Sequence, residues 1–540
     1  MFINFNDIPG HNKLFLDYLY KFDNVKDFYG FNFRNKEDFL QKFKIIADQF
    51  GLRSELHNII TGQYKEKEPS QKTQKNISML KEKNTLAVVT GQQLGILGGP
   101  LYTFYKTITA LKLCKHLNER YDEYQFVPVF WLEADDHDFD EVRSINILNG
   151  NNDIKKISYS DEHLPEENTG SIGYLKFSES INNFFEELNN FLKDSEFKQP
   201  MMDKLKSSFG RDKTFKEAFS ELIFWIFDEY GLILFDPQEA VVKNILKPLF
   251  KKEISDFRQH TEKLVHVSAK LEELYHAQVK VRPINLFYNF DGGRYLIEPI
   301  ENEYRLKGKR KKFIHDELIE LIEKEPQNFS PNVLMRPVCQ DHLFPTAFYI
   351  AGPSEISYFA QALPLYGIYN IQPPIFYPRS SATILEKNIS SIMEKFGLDI
   401  RDVFVDSESL KRRIIESVSK NSLNEIFTGA MNNIELILDQ LKEKLFEIDK
   451  TMSDSSTRYK QKILNDLGVL KEKSLEAEKK KHEITLRQID KVSNMLFPNS
   501  NLQEREFNFI YFADKYGMDF IKQIYDELSI NKFEHQIISI

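Results

Sequence analysis

The feature that most constrains the fold is a pair of apolar runs separated by a glycine-rich loop and a helical pattern. Leu86–Val89 is an unbroken apolar run, as expected of a strand covered on both faces. The loop TGQQLGILGGP follows at 90–100, and Pro100 suits the first turn of the helix predicted after it. Phe126–Leu132 is a second buried run. Strand, loop, helix and strand in this order predict a parallel βαβ unit at the start of an open α/β sheet.

Later apolar runs predict that the sheet continues. Strands are predicted at 232–235, 333–335, 348–351 and 375–377, the last of these closing the sheet. A hairpin is predicted at 284–298, with its turn at Asp291-Gly292-Gly293. Polar stretches at about 150–212 and 260–330 are interpreted as insertions between sheet elements. We therefore expect a single α/β core over residues 1–380.

A heptad pattern distinguishes the chain after residue 380. Apolar residues from Phe427 to Met452 follow a 4-3-4-3 spacing, which returns with weaker occupancy between 463 and 484. The polar run Ser453–Thr457 separates the two segments and predicts an antiparallel helical hairpin. Two core helices of an ordinary bundle are the alternative, but abundant Lys and Glu favour a coiled coil. We expect a coiled-coil domain over 381–497 and a C-terminal segment, 498–540, that packs back on the core.

Composition and charge exclude several classes of protein. With 72 Lys and Arg against 81 Asp and Glu, the net charge of −9 argues against a nucleic-acid-binding surface. Two cysteines, Cys114 and Cys339, are too few for a disulfide framework or a four-thiol zinc site. We expect both side chains to be buried and the protein to work in a reducing compartment. The first residues lack the pattern of a signal peptide, and no apolar run reaches the length of a membrane span. We expect a cytoplasmic protein that binds neither nucleic acid nor membrane.

The glycine-rich loop is the first candidate binding site. Glycine lets a backbone approach a ligand closely, and a helix N-terminus offers unpaired N–H groups to a phosphate or a carboxylate. The loop lacks the ending of a P-loop and the spacing of a dinucleotide fingerprint, and a tight turn that needs glycine for its geometry alone is the alternative. The candidate residues of the loop and of the following helix are Thr90, Gly91, Gln92, Gln93, Gly98, Gly99, Tyr102 and Lys106.

An acidic cluster follows the second strand. It lies at the carboxyl end of that strand, where ligands of open α/β sheets bind, so we expect it to face the same crevice as the glycine loop. Asp135, Asp136, His137 and Asp138 could order Mg²⁺, orient an amine or act as a general base. Acidic capping of a helix that starts near Asp138 is the alternative.

A third group of residues begins at Arg336. Arg336 is predicted to follow a strand, and Gly352-Pro353 to open a helix after another strand, again at a carboxyl end. Arg336 could hold a carboxylate or a phosphate through two hydrogen bonds, or form a structural ion pair. The candidate substrate-binding residues of this group are Arg336, Gln340, Gly352, Glu355 and Tyr358.

Four segments of the chain resemble one known family. They are TGQQLGILGGPLYTFYKT at 90–107, PVFWLEADDHDFDEV at 128–142, LMRPVCQDHLFPTAFYIAGPSEISYFAQ at 334–361 and LQER at 502–505. Together they are similar to the bacillithiol biosynthesis cysteine-adding enzyme family, often called BshC. The similarity is spread over nearly the whole chain, although the insertions at 150–212 and 260–330 have no secure match.

The resemblance implies a fold and an activity. The family combines a Rossmann-like core carrying connecting-peptide insertions, similar to class I aminoacyl-tRNA synthetases, with a coiled-coil domain used for homodimerisation. Its enzyme is a ligase that joins L-cysteine to glucosaminyl malate through an amide bond, the last step of bacillithiol biosynthesis. The resemblance also implies a nucleotide site near the coiled coil and the C-terminal segment, with Gln503, Glu504 and Arg505 as candidates.

Amide formation from a free carboxylate is uphill in water, so we expect ATP or another nucleotide to activate the carboxyl, with Mg²⁺ as a candidate ion. The glycine loop and Lys106 would hold phosphate, and the acidic cluster would position a cation or the amine. Arg336 and Glu355 would recognise charged groups of the substrates.

Two other functions fit parts of the sequence. The acidic cluster alone suggests a metal-dependent hydrolase, although no second histidine stands at ligand spacing from His137. The heptads suggest a non-enzymatic coiled-coil scaffold whose sheet domain only binds nucleotide.

Overall fold

The computed structural model describes residues 1–161, 168–418, 423–481 and 483–540, so residues 162–167 of the insertion predicted at 150–212 lie outside the described residues. The chain forms two compact units. The first contains Met1–Ile384 and Leu502–Ile538, and the second contains Leu385–Asn501 and Ser539–Ile540.

The strands are β1 (Phe2–Ile3), β2 (Thr85–Gln93), β3 (Gln125–Glu133), β4 (Ser144–Leu148), β5 (Ile154–Ser158), β6 (Ile233–Phe235), β7 (Leu286–Phe290), β8 (Gly293–Ile300), β9 (Glu303–Leu306), β10 (Lys312–Phe313), β11 (Phe329–Pro331), β12 (Thr346–Ala351), β13 (Ile375–Pro378), β14 (Ser381–Leu385) and β15 (His535–Ser539).

The helices of the first unit are α1 (Lys13–Tyr20), α2 (Lys26–Tyr29), α3 (Phe39–Gln49), α4 (Arg53–Gln63), α5 (Gln71–Met79), α6 (Leu101–Arg120), α7 (Phe139–Val142), α8 (Ile181–Phe191), α9 (Lys198–Ser208), α10 (Phe215–Phe227), α11 (Ala240–Leu274), α12 (His315–Lys324), α13 (Arg336–Leu343) and α14 (Pro353–Tyr369). The helices of the second unit are α15 (Lys387–Phe396), α16 (Ser407–Val418), α17 (Leu423–Ile448), α18 (Lys450–Lys481) and α19 (Glu483–Leu496). The chain then returns to the first unit with α20 (Gln503–Glu506), α21 (Ile510–Tyr516) and α22 (Asp519–Glu527).

A parallel sheet forms the centre of the first unit. Its strand order is β13-β12-β2-β3-β6, and every pairing in it is parallel. The chain therefore proceeds from β2 towards β3 on one side and from β12 towards β13 on the other, as in a Rossmann-like sheet. The point at which this direction reverses lies between β2 and β12. The predicted α/β fold with a coiled-coil domain is confirmed.

The βαβ unit at 86–132 is confirmed, with one change at the glycine-rich loop. Strand β2 does not end at Val89 but pairs with β3 up to Gln93, which lies opposite Glu133. Gly91 permits this close pairing, because a Cβ atom there would stand 2.8 Å from the carbonyl oxygen of Trp131. The glycine-rich loop is thus shorter than predicted. A glycine inside a strand can mark a close approach of the neighbouring backbone rather than the end of the strand.

Insertions surround the sheet. The hairpin predicted at 284–298 is confirmed as β7 and β8, which belong to an antiparallel sheet of order β10-β9-β8-β7-β11. The strand predicted at 333–335 is wrong. These residues form a turn before α13, in which the side chain of Asn332 accepts hydrogen bonds from the backbone N–H groups of Leu334 and Met335. An apolar run of this length cannot distinguish a buried turn from a buried strand.

The strand predicted at 375–377 is confirmed as β13, but it is not the last one. Strands β14 and β15 follow it and form a separate sheet of order β1-β15-β14. The partner of β14 is β15, which lies about 150 residues later in the chain. A local sequence pattern does not reveal such a distant pairing.

The second unit contains the predicted helical hairpin. Helices α17 and α18 run antiparallel, as the ion pairs of Lys460 with Glu435 and Asp439 show. The break lies at Asp449 rather than at Ser453–Thr457, because the Asp449 carboxylate accepts hydrogen bonds from the backbone N–H and the hydroxyl of Thr451. This local cap starts α18, and the polar run continues it as helix. Among the described residues of α17 none is buried, which argues against core helices of an ordinary bundle.

None of the described helices combines the length and the apolar character required to cross a membrane.

Candidate functional site

A cavity of about 530 Å³ lies at the carboxyl edge of the parallel sheet. The ends of four strands contribute to it: β2 through Gly91, β3 through Glu133, β12 through Gly352 and β13 through Arg379. The cavity therefore lies at the switch point between β2 and β12, the place where ligands of such sheets bind.

The structure brings one part of the predicted residues together at this cavity. The predicted residues that line it are Gly91, Gln92, Gln93, Tyr102, Lys106, Asp135, Asp136, His137, Arg336, Gly352, Glu355, Tyr358 and Arg505. They come from the glycine loop, the acidic cluster, the third group and the C-terminal segment. Chain segments about 400 residues apart in sequence thus meet at one site.

The second half of the glycine loop does not line the cavity. A Cβ atom on Gly98 would stand 3.0–3.2 Å from the side chains of Phe104 and Leu222, and the carbonyl oxygen of Gly99 accepts a hydrogen bond from Asn508 at 2.6 Å. Both glycines have positive φ, so they serve the turn before α6. Gly98 and Gly99 therefore fit the alternative stated above, a tight turn that needs glycine for its geometry, rather than a phosphate cradle.

Three other predicted residues do not line the cavity and have structural partners. The Thr90 hydroxyl donates to the carbonyl oxygen of Ile350 in the neighbouring strand at 3.3 Å. Asp138 caps α7 by accepting from the backbone N–H of Glu141 at 3.3 Å, which is the alternative stated for the acidic cluster. Gln340 is fully buried and accepts from Arg336 at 2.8 Å.

The LQER segment divides between structural and exposed residues. The Gln503 amide bonds to the backbone N–H and carbonyl of Ile384, at 2.8 and 3.0 Å. The buried Glu504 carboxylate pairs with Arg379 at 2.6 Å and accepts from Ser381 at 2.9 Å. Arg505 is exposed and lines the cavity. Gln503 and Glu504 therefore hold β14 and Arg379, and only Arg505 reaches the site.

A buried ion pair joins α6 to α14. Lys106 Nζ lies 2.8 Å from Glu355 Oε2, which also accepts from the backbone N–H of Gly352 at 2.7 Å, while Tyr349 donates to Oε1 at 2.7 Å. Burial raises the pKa of Glu355, but Lys106 and these hydrogen bonds outweigh it and hold the pKa below its usual value. Burial lowers the pKa of Lys106, against the attraction of Glu355. The pair therefore fixes the N-terminus of α14 at the cavity.

A second ion pair lies at the end of β3. Arg336 Nε lies 3.0 Å from Glu133 Oε1, and its other nitrogens donate to Gln340 and to the hydroxyls of Tyr358 and Tyr349. Most of the donors of Arg336 are thus occupied within the protein. Burial raises the pKa of Glu133 to about 7, although Arg336 opposes the shift.

The acidic cluster is spread over separate partners. Asp135 pairs with Lys243 at 2.6 Å, and Asp136 accepts from the Gln93 amide at 2.7 Å. His137 Nδ1 lies 3.0 Å from Nη1 of Arg294. Within the described ranges, no three His, Cys, Asp or Glu side chains converge on a point that could hold a metal ion.

Sequence reasoning missed several residues that line the cavity. Arg379 directly follows β13, so the strand-end rule that selected Arg336 could have found it. Lys243 on α11, Lys280, Arg282 and Arg294 belong to helices and insertions that carry no such signal, and only the tertiary structure places them here.

The charge of the cavity differs from the charge of the chain. Among the described residues, eight Lys and Arg side chains line it against five Asp and Glu, although the whole chain carries −9. The cationic residues are Lys106, Lys243, Lys280, Arg282, Arg294, Arg336, Arg379 and Arg505. A positive cavity within an acidic protein selects anionic ligands.

Comparison with known proteins agrees with this architecture. Residues 1–380 match the family model described as "Bacillithiol biosynthesis BshC, N-terminal Rossmann-like domain", and residues 382–540 match "Bacillithiol biosynthesis BshC, C-terminal coiled-coil domain". A protein of Salinibacter ruber named "Putative cysteine ligase BshC" is 32% identical over 529 residues, which are 98% of this chain and 96% of the relative. A protein of Chloroherpeton thalassium with the same name is 33% identical over 543 residues, with the same two shares.

A solved structure described as a putative arginyl-tRNA synthetase from Campylobacter jejuni covers 84% of this chain and 97% of its own at 9% identity, but its TM-score of 0.21 is too low to indicate a shared fold. The family models span almost every residue of the chain and correspond to its two kinds of architecture, the Rossmann-like sheet and the helical hairpin. The chain belongs to the bacillithiol biosynthesis BshC family.

Proposed function

We propose that the protein is a cysteine ligase that forms an amide bond between the carboxyl group of L-cysteine and the amine of glucosaminyl malate, the last step of bacillithiol biosynthesis. The observation that carries the proposal is the positive cavity at the switch point of the parallel sheet. Both substrates are carboxylates, and the malate group carries two of them. A site with more cations than acids fits this pair of ligands.

Three cations of the cavity are the candidates for the malate carboxylates and other anionic groups. Among the described residues, Lys280, Arg282 and Arg505 have no ion-pair partner, and Lys280 and Arg505 are exposed. Their charges remain available to a ligand, in contrast to those of Lys106 and Lys243. A guanidinium group such as that of Arg282 can bind a carboxylate through two hydrogen bonds.

The acidic cluster supports the binding of the amine. The glucosaminyl amine is an ammonium ion at neutral pH, and Asp135 and Asp136 lie at the same cavity. Their charges attract an ammonium group and orient it towards the carboxyl group of cysteine. This gives the acidic cluster a role that requires no resident metal ion.

Activation of the cysteine carboxyl requires ATP or another nucleotide in this proposal. Arg505, which lines the cavity without an ion-pair partner among the described residues, fits a polyphosphate, because guanidinium groups match phosphate oxygens. A Mg²⁺ ion would arrive with the nucleotide and keep phosphate and water ligands, needing only one or two carboxylates from the protein.

The proposal includes a homodimer formed through the coiled coil. On α17, Leu436, Ile437, Leu441 and Phe446 are each about half exposed or more. Exposed large apolar side chains that gather on one helix often mark an interaction surface. Light scattering at micromolar concentration should give twice the mass of the chain, and Leu436→Lys with Phe446→Lys, which spares the 4-3-4-3 positions of the hairpin, should give the mass of one chain.

Reconstitution tests the activity. Purified protein with L-cysteine, glucosaminyl malate, ATP and Mg²⁺ should form a product of the mass of bacillithiol, and no amide should form from glucosamine that lacks the malate group. The double variant Lys280→Gln with Arg282→Gln should raise the KM for glucosaminyl malate about tenfold, since each lost ionic hydrogen bond weakens binding. Absence of product with ATP and with the other nucleoside triphosphates would contradict the proposal and favour the nucleotide-binding scaffold.

A further inference from the structure

The proposed ligation contains a proton transfer for which a base must be found, and the following inference rests on that proposed function. An ammonium group is not a nucleophile, so the amine of glucosaminyl malate must lose a proton before or during its attack. The base must line the cavity, must be able to accept a proton near neutral pH and must have an atom that is not already occupied.

His137 does not meet these conditions. Its Nδ1 lies 3.0 Å from Nη1 of Arg294, and a guanidinium group can only donate. Nδ1 is therefore the acceptor, and the hydrogen of the neutral ring is on Nε2. Burial together with Arg294 lowers the pKa of His137, which keeps the ring neutral. His137 can donate a hydrogen bond into the cavity but has no free lone pair there.

Three of the carboxylates at the cavity are held by other groups through both oxygens. Asp135 accepts from Gln238 at 3.2 Å and pairs with Lys243. Asp136 accepts from Gln93 and from the backbone N–H of His137, both at 2.7 Å. Glu355 Oε2 accepts from the backbone N–H of Gly352 and pairs with Lys106, and its Oε1 accepts from the hydroxyl of Tyr349. These groups provide negative charge, but their oxygens are occupied.

Glu133 is different. It is the last residue of β3, its side chain is 22% exposed and it lines the cavity beside the acidic cluster. Arg336 Nε holds Oε1 at 3.0 Å, and among the described residues Oε2 has no hydrogen-bond partner. The carboxylate is thus fixed at one oxygen and open at the other. Glu141 also lines the cavity, but it is exposed and its Oε2 contacts the Gln93 amide.

We propose that Glu133 is the general base of the ligation, with Oε2 accepting the proton of the attacking amine. The nitrogen lone pair forms the N–C bond to the carbonyl carbon of cysteine, whose carboxyl is activated as a mixed anhydride with a phosphate group. The C–O bond to phosphate breaks, and the phosphate leaves with the electron pair. Glu133 takes one proton from the ammonium group before the attack and becomes a neutral acid, which later returns the proton to water. The second proton leaves the nitrogen after the N–C bond has formed and goes to the departing phosphate.

The electrostatic surroundings suit this role. Burial raises the pKa of Glu133 to about 7, Arg336 opposes the shift, and Asp136, Asp135 and Glu355 add to it. Glu133 also interacts electrostatically with three other charged or titratable groups, Arg294 on β8, Tyr349 on β12 and Tyr358 on α14. A base whose pKa lies near the working pH is deprotonated in a large fraction of the molecules and is still strong enough to take a proton.

The test separates proton removal from carboxyl activation by using two nucleophiles. Glu133→Gln is assayed with cysteine, ATP and Mg²⁺, once with glucosaminyl malate and once with hydroxylamine, which is largely unprotonated at neutral pH and needs no base. We expect amide formation to fall about 10²-fold or more, whereas cysteine hydroxamate forms at the wild-type rate. Glu186→Gln, an exposed change on α8, is the matched control and should leave both rates unchanged.

The pH dependence of kcat/KM is a second test of Glu133 as the base. In the wild type, kcat/KM for amide formation should rise through a pKa near that of Glu133, and in Glu133→Gln this limb should move to the pKa of the substrate amine, because only the free amine can then react. Glu133→Asp, which keeps the acid but shortens its reach, should fold and retain the limb at a reduced rate.

Two results would overturn the assignment. One is amide formation by Glu133→Gln within about threefold of wild type, and the other is an equal loss of amide and hydroxamate, which would place Glu133 in activation or in structure. Failure of the wild type to form either product would instead overturn the proposed function itself.

Discussion

At the scale of the residue, three buried cationic side chains of the first unit are each paired with a carboxylate. Arg379 lies with Glu504, Lys106 with Glu355 and Lys243 with Asp135, and in each pair the cationic side chain is no more than 5% exposed. Removing water from two opposite charges is compensated only while both are present. Loss of one partner should therefore cost far more than loss of a surface pair.

Arg379→Met tests this at the pair that supports the cavity. The variant leaves the Glu504 carboxylate uncompensated, and we expect the free energy of unfolding to fall by about 3–5 kcal/mol. Urea unfolding measures the change. The double variant Arg379→Met with Glu504→Gln should recover part of it, because the uncompensated charge is gone. Arg211→Met, which removes an exposed pair with Glu179, should cost less than about 1 kcal/mol.

The half-buried imidazole of His11 and the buried imidazole of His535 predict acid sensitivity. Burial lowers the pKa of His11 and of His535 to about 4, with Arg379 acting in the same direction and Glu504 opposing. Between the unfolded value of 6.5 and pH 4 the unfolded chain binds protons that the folded chain does not, so stability falls as the pH falls through this window. At pH 5 the loss is about 2 kcal/mol for each imidazole.

Urea midpoints at pH 7 and pH 5 measure this loss, and His11→Phe should remove about half of it. A free energy of unfolding that stays constant from pH 7 to pH 5 would contradict the neutral, buried state of these rings.

At the scale of the element, single backbone contacts decide where strands and helices end. Asp449 starts α18 four residues before Ser453, the start of the polar run that composition would select. Asn332 converts an apolar run into the turn before α13. Gly91 lets β2 continue to the cavity by giving the Trp131 carbonyl room. These contacts bring strand ends and side chains to the same edge of the sheet.

Gly91→Ala should disturb the pairing of β2 with β3. The new Cβ atom would stand 2.8 Å from a carbonyl oxygen of the neighbouring strand, so the strands must separate, at a cost of about 1–3 kcal/mol. Thermal unfolding followed by circular dichroism measures the effect. Gly62→Ala is the matched control. It lies on α4 with open space around it and should stabilise the protein by up to about 1 kcal/mol. Equal melting temperatures for both variants would show that β2 adapts without strain.

At the scale of the whole molecule, the first unit consists of two chain segments that are distant in sequence. Leu502–Ile538 supplies β15, the partner of β1, as well as Glu504 and Arg505. The segments meet where Gln503 bonds to the backbone of Ile384. The first unit should therefore need its C-terminal segment but not the residues between.

A pair of shortened chains tests this expectation. Replacement of residues 385–501 by a short Gly-Ser linker should leave a cooperatively folding protein, because the chain ends to be joined are in contact. Truncation after residue 384 should give an aggregating or non-cooperative chain, since β1 and Arg379 lose their partners. Cooperative urea unfolding of the truncated chain at near wild-type stability would contradict the prediction.

Much of the fold followed from local patterns, but only part of the site did. The apolar runs at β2, β3, β12 and β13 predicted strands correctly, because buried strands tolerate few polar residues. The strand-end rule placed the glycine loop and the acidic cluster at one crevice. The rule did not reveal that Glu504 contacts the buried Arg379 while Arg505 lines the cavity. Neighbouring side chains of a short helix point in different directions, and the sequence does not show which of them points to the site.

The sequence by itself determined the α/β class and the helical hairpin, because periodicity and spacing are local properties of the chain. It also indicated the family, through the resemblance of four segments. Only the tertiary structure decided which charges are occupied. It pairs Arg336 with Glu133 and Asp135 with Lys243, and leaves Arg282 of an insertion unpaired among the described residues at the cavity. The reason is physical: the free energy of a charge depends on burial and on the nearest partner in space, and both are set by residues far away in the chain.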